Sequence, residues 1–185
     1  MATTSAAGIL HIKQYENAKL IPLNPTDWIK AYWDSNGYAI GWGSRFDLDG
    51  SKITSDQICT IKYANMLLNK DVKAAETAVN NAVKVDLTQG QFDALVDFVY
   101  QFGATAFSTS TLLKVVNSTP NDFTAVAAQL RRWVNVNGQV STSIQKRREA
   151  NIIQYTSGGA VQSVAWLWAV IVAVLAFSFF KFRNR

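Results

Sequence analysis

Along this chain apolar residues recur every three or four positions in most stretches, and alternate with polar ones in only one region. GILHIKQYE, residues 8–16, reads as a short helix that Thr4 or Ser5 can cap. Ile58, Ile61, Ala64, Leu67, Leu68 and Val72 mark the buried face of a longer helix. The capping-box pattern Thr54-Ser55-Asp56-Gln57 predicts its start, and the run continues to about Val83. Thr88-Gln89-Gly90-Gln91 repeats that pattern and opens a helix with Phe92, Leu95, Val96, Val99 and Tyr100 on its apolar face, stopped by Gly103. Ser110-Thr111 starts a short helix, Asp122 caps FTAVAAQLRRWV, and Ser141 or Ser143 caps a last one ending near Tyr155. Strand signals are confined to about residues 31–54, with turns at Asn36-Gly37 and Asp49-Gly50. The predicted class is α+β: a short helix, a small sheet lobe and a larger helical lobe, with no internal repeat.

The pattern changes near the end. From Ala150 to Phe180 no residue is charged, and AVQSVAWLWAVIVAVLAFSFF (160–180) is apolar all round. As a helix this stretch would span about 31 Å, enough for the hydrocarbon core of a bilayer. Trp166 and Trp168 sit near one end and KFRNR at the other, an arrangement that suits a membrane interface and a cytoplasmic basic flank. Thr156-Ser157-Gly158-Gly159 reads as a flexible linker. The expected organisation is one folded domain over 1–157, then 158–185 as linker, one transmembrane helix (about 160–180) and basic tail. The N-terminus lacks the basic region and long apolar core of a secretory signal.

Charge narrows the functions available. Lys and Arg total 18 against 13 Asp and Glu, but three of the cations, Lys181, Arg183 and Arg185, lie in the last five residues. Residues 1–180 therefore carry only +2, which gives no reason to expect nucleic acid as a partner. The only cysteine is Cys59, so no internal disulfide forms, and the only histidine is His11. With those counts a protein zinc site would rest almost wholly on carboxylates, and no metal or other cofactor is expected. Cys59 reads as a small buried residue, His11 as a helix residue satisfied by solvent or backbone, and Trp133 as core. Lys146-Arg147-Arg148 suits a solvated face as well as a site.

Two carboxylates stand out. Glu16 ends the first helix, and Asp34 lies among the aromatic and glycine residues of KAYWDSNGYAIGWGSR (30–45). A pair of carboxyl groups facing each other across a cleft is the equipment for cleaving a glycosidic bond. One must be held protonated, which apolar burial favours, and Glu16 beside Tyr15 and Leu20 suits that task. Asp34, beside the polar Ser35 and Asn36, suits the ionised role.

Several blocks in the same order resemble the phage lysozyme family, muramidase endolysins with a small sheet lobe and a helical lobe. GILHIKQYENAKL is similar to the family's first helix, which ends in its catalytic Glu. KAYWDSNGYAIGWG is similar to its sheet-lobe hairpin. DLTQGQFDALVDFVYQFGATAF followed by STLL resembles the centre of the large lobe, and RRWVNVNG and QKRREA its last helices. The resemblance spans residues 7–155. It implies Glu16 as general acid and Asp34 as its partner carboxylate. It also implies a saccharide groove walled by aromatic faces, with Tyr32, Trp42, Gln101 and Arg148 contacting sugar and Arg147 or Arg148 near Glu16. Bacterial peptidoglycan is the implied substrate. With the basic tail on the cytoplasmic side, the catalytic domain would face the cell wall from a viral membrane or the host's inner membrane.

Three departures from the family pattern bear on the reaction. Seventeen residues separate Glu16 from Asp34, which implies a loop insertion within IPLNPTDWIK and makes Asp27 a rival to Asp34. Ala39 stands where the family has a Thr that helps position the attacking water. Ser44 stands where it usually has a His. The leading expectation is a hydrolase. The alternatives are a lytic transglycosylase in which Glu16 acts alone, and a non-catalytic lysozyme-like virion membrane or structural protein.

Overall fold

The computed structural model describes residues 1–16, 22–23, 28–136 and 138–157. Asp27 and the expected linker, transmembrane helix and basic tail over 158–185 lie outside the described residues. Among the described residues no helix is long and apolar enough to cross a membrane.

Helix α1 (Ala6–Glu16) begins at Ser5, whose Oγ accepts from the Gly8 N–H at 3.1 Å. The small lobe follows. Strands β1 (Pro22–Leu23), β2 (Trp28–Lys30) and β5 (Ile58–Thr60) form an antiparallel sheet in the order β1-β2-β5. Strands β3 (Tyr32–Trp33) and β4 (Tyr38–Ala39) form a separate hairpin, with Tyr32 opposite Ala39 and Trp33 opposite Tyr38. The insertion expected as a loop thus contributes strand residues on both sides: Pro22 pairs with Ile29 and Leu23 with Trp28.

The second helix starts later than expected. Thr54–Gln57 is a turn, in which the Gln57 N–H reaches the Thr54 carbonyl at 3.3 Å. Ile58–Thr60 then pair with β2, and α2 (Ile61–Ala82) is capped by Thr60. The sheet wins because the Ile29–Cys59 pairing buries both side chains, whereas a helix from Thr54 would strip β2 of its partner. Ile58, expected on the buried face, is exposed for the same reason.

The large lobe follows the apolar spacing closely. Helix α3 (Gln89–Phe102) has both bonds of the capping box at Thr88 and Gln91, and Gly103 ends it. Every residue from Gln91 to Val99 is buried, so α3 is the central helix, enclosed by its neighbours. Helices α4 (Ala104–Ser108), α5 (Thr111–Ser118), α6 (Phe123–Arg131) and α7 (Thr142–Ser157) surround it, with caps at Ser110 and Asp122 as expected. Helix α4 was not anticipated. Nor was the short hairpin β6 (Asn135–Val136) and β7 (Gln139–Val140), which lies outside the expected strand region. Trp133 packs edge-on against Phe98 at 5.0 Å and lies half-buried against the core, of which the buried Cys59 is a member.

Candidate active site

Helix α1 delivers Glu16 at its last residue, and three side-chain contacts fix the helix along its length. At the start, Asp93 of α3 accepts from the Ser5 N–H at 3.0 Å and from its hydroxyl. In the middle, His11 Nε2 lies 3.2 Å from the Asn151 amide and 3.8 Å from Asp97. At the end, Arg147 of α7 donates to Glu16 Oε1 at 2.6 Å. Asp93 and Asp97 are one helical turn apart on α3, so a single face of the central helix holds α1 at two points. His11 therefore has a hydrogen-bond partner in the Asn151 side chain of α7, with Asp97 of α3 close by, rather than solvent or backbone alone.

Arg147 is shared. Its Nε and Nη2 donate to Asp97 at 2.7–3.2 Å while Nη1 holds Glu16. Burial works against the Arg147 charge, but Asp97 and Glu16 more than offset it and hold its pKa above the ordinary arginine range. Asp97 is fully enclosed. Burial opposes its charge too, yet Arg147, Arg148 and His11 carry its pKa below the ordinary value. Glu16 is thus held by an ion pair, not in the apolar setting expected of it, and Leu20 lies outside the described residues.

Among the described residues Arg148 is the largest fully buried side chain, and it does not line the cleft. Its Nη2 donates to Gln101 Oε1 at 2.6 Å and to Asp97 Oδ2 at 3.3 Å, and its guanidinium stacks over Phe102 and Phe98. Burial lowers its pKa to about 10, which leaves it charged at neutral pH. The structure therefore places Arg147 in the cleft and Arg148 behind it, where Arg148 can reach a ligand only through Gln101. The basic run at 146–148 is not a solvated face, because both arginines point inward.

A cleft of about 660 Å³ opens between the lobes and brings Glu16, Asp34, Trp42, Gln101 and Arg147 onto one surface. Asp34 enters from the β3–β4 hairpin. Its carboxylate accepts from Arg45 at 3.1 Å, and the same guanidinium holds its carbonyl at 2.8 Å. Ser35, the next residue, has φ 53°, a left-handed conformation costly for a residue with a side chain.

Two glycines carry the hairpin past the carboxylate. Gly41 (φ 62°) lets the chain press on α2, where a Cβ would lie 2.9 Å from the Ala64 Cβ. Gly43 (φ 97°) lies against Glu16 Oε2, and a Cβ there would stand 3.4 Å from that oxygen. Trp42, between them, is nearly buried, with the Lys13 ammonium 4.6 Å above its ring and its carbonyl accepting from Tyr100 at 2.6 Å.

Tyr32 does not line the open wall. Burial raises its pKa well above the ordinary tyrosine value, and the charges of Glu16 and Asp34 raise it further. Ala39 is fully buried. Ser44 donates to Asp71 Oδ2 at 2.6 Å, which sets a third carboxylate in the cleft lining. Sequence reasoning missed Asp71, Arg45 and Asp97. Only Asp97 left a signal: two aspartates four apart inside an otherwise apolar helix are costly to bury unless each has a partner.

The family model described as Phage lysozyme matches residues 28–151, a span that contains Asp34 and Arg147 but not Glu16. The endolysin of Bacillus phage PZA is 36% identical over 154 residues, covering 83% of this chain. The chain spans 55% of that relative's length. Among solved structures, an endolysin from Escherichia coli O157:H7 phage FAHEc1 superposes with a TM-score of 0.70 at 31% identity, covering 83% of this chain and 93% of that one. The muramidase domain of SpmX from Asticaccaulis excentricus gives 0.65 at 30% identity, covering 84% and 98%.

Proposed function

The chain belongs to the phage lysozyme family, and on that premise we propose that it is a peptidoglycan-degrading muramidase that hydrolyses the bond between N-acetylmuramic acid and N-acetylglucosamine. The observation that carries this reading is the meeting of Glu16 and Asp34, from different lobes, on one cleft. Glu16 is the general acid. Oε1 stays on Arg147, while Oε2, turned toward Gly43, reaches the glycosidic oxygen. The bond from that oxygen to the anomeric carbon breaks, and the leaving oxygen takes the Glu16 proton. Water adds to the anomeric carbon and gives its proton to Asp34, whose charge also faces the positive charge that develops on the sugar ring. Gln101, Trp42 and Arg147 line the groove around the saccharide, and Arg148 holds Gln101 in place.

The buried methyl of Ala39 favours a second reading, a lytic transglycosylase. There Glu16 acts as acid and then as base, and a sugar hydroxyl replaces water in the attack.

Residues 1–157 form the catalytic domain in this proposal, and 158–185 tether it to a lipid bilayer through a helix at about 160–180. The uncharged run of 21 residues and its basic flank support the tether. One experiment addresses these points: wall lysis and mass spectrometry of released muropeptides for the full chain, its Glu16→Gln variant and a chain ending at residue 159. Glu16→Gln should cost at least about 10²–10⁴-fold. Products with reducing ends mean hydrolysis and anhydro products mean transglycosylation. The shortened chain should keep its activity on isolated walls and leave the membrane fraction. A folded Glu16→Gln protein that lyses walls like the parent removes both enzymatic readings, and a shortened chain that unfolds removes the tether.

A further inference from the structure

Behind the cleft wall, one hydrogen bond fixes what the wall in front can recognise. Gln101 lies on α3 one turn past Asp97 and lines the cleft. Its amide carries an acceptor, Oε1, and a donor group, the NH2 of Nε2, and an unrestrained glutamine can turn either one outward. Here that choice is closed. Oε1 meets Nη2 of Arg148 at 2.6 Å, and a guanidinium can only donate. The oxygen is therefore spent on the protein interior. The NH2 group remains for the cleft, where nothing among the described residues accepts a hydrogen bond from it. Arg148 has no room to give way. It is fully buried, its guanidinium stacks over Phe102 at 5.1 Å and Phe98 at 5.4 Å, and the same Nη2 also donates to Asp97 Oδ2 at 3.3 Å. Its Nε and Nη1 are enclosed without a hydrogen-bond partner among the described residues, a costly arrangement that calls for an explanation. Fixing the polarity of a cleft residue supplies one.

We propose that Arg148 locks Gln101 as a contact that only donates, and that this contact selects for the carbonyl oxygen of an acetamido group on the glycan. A sugar hydroxyl both donates and accepts, so it suits either face of an amide and needs no lock. An acetyl carbonyl only accepts. It gains from a fixed NH2 group and would be turned away by a fixed oxygen. A deacetylated ring bears an ammonium at that place and sets donor against donor. The Arg148 charge also strengthens the contact, because drawing on Oε1 polarises the amide and makes its N–H groups better donors. This role takes its substrate from the muramidase reading above and is the same for hydrolysis and transglycosylation.

The test uses the full chain at about pH 6, where a freed sugar amine is protonated, on purified peptidoglycan and on the same material after chemical N-deacetylation. Values of kcat/KM from released muropeptides, and Kd from co-sedimentation with the two walls, give the preference for the acetylated wall. Gln101→Glu keeps the side chain's shape and its bond to Arg148 but turns an acceptor outward. Its preference should fall at least about tenfold below the parental one, with the melting temperature held. Arg148→Met releases the amide and should narrow the preference about threefold, through KM and not kcat. Arg148→Lys should bring much of it back, because an ammonium also only donates. A Gln101→Glu protein with the parental preference overturns the proposal, whether or not Arg148→Met folds. A folded Arg148→Met protein with the parental preference overturns it too. A parent that neither cleaves nor sediments with either wall defeats the muramidase reading and this role with it. An active parent whose preference survives Gln101→Glu defeats this role alone.

Discussion

The two carboxylates of the cleft are held in opposite ways. Glu16 sits at the end of α1 and is almost enclosed. Behind it, Arg147, Asp97, Arg148, Asn151 and His11 form a connected network linking three helices. Asp34 sits on a hairpin whose strands are two residues long, a quarter exposed, beside an Arg45 that is itself more than a third exposed. The contrast has a chemical rationale. A proton donor must meet one oxygen in one direction, so it is built on a rigid element. A carboxylate that steadies charge and receives a proton from water tolerates a looser mount. The contrast also says where the loss of one charged partner costs most: in the buried network, more than at the exposed Arg45–Asp34 pair.

The largest expected effect falls on that network. Asp97→Ala should cost about 3–5 kcal/mol, because it leaves two buried guanidinium groups without their shared carboxylate. Urea unfolding measures it, and a loss under about 1 kcal/mol would erase the distinction between the two halves of the site. Arg45→Gln tests the other half. Its ion pair with Asp34 is solvent-screened, so stability should change by at most about 1 kcal/mol. Activity should still fall about tenfold, because the same guanidinium also fixes the Asp34 carbonyl. Melting curves and wall-lysis rates separate the two.

The smallest effect is a pH slope from His11. Burial lowers its pKa in the folded protein, Asp97 partly restores it, and Arg147 and Arg148 lower it again. The unfolded chain therefore takes up this proton first as pH falls. The associated stability is complete above the unfolded value of about 6.5 and is lost as pH drops toward the folded value. His11→Gln should flatten the stability profile over that window while leaving the plateau above it nearly unchanged.

Much of this was readable in advance, for identifiable reasons. Thr88, Ser110 and Asp122 announce helix starts because a cap is a local bond within four residues, and Gly103 ends α3 because nothing else fits its backbone so readily. The order of blocks from GILHIKQYE to QKRREA sufficed to single out Glu16 and Asp34. The start of α2 was misread because Thr54–Gln57 satisfies the local rule, while the competing partner of Ile58–Thr60 lies some thirty residues away in β2. The short strands at 22–23, 135–136 and 139–140 hold too few residues for alternation to register.

Local sequence thus determined most of the helices, several of their caps and the two-lobe order, because each is written in spacing over a few residues, whereas Glu16 and Asp34 were singled out by the resemblance of whole blocks. Tertiary structure alone decided which of two adjacent arginines reaches the cleft. Arg147 and Arg148 are chemically identical and differ by about 100° around α7. That rotation, fixed by the packing of α7 on α3, turns one guanidinium to Glu16 and the other beneath Gln101. The partners of Asp97 were decided the same way, since a buried carboxylate takes its cations from wherever the fold brings them.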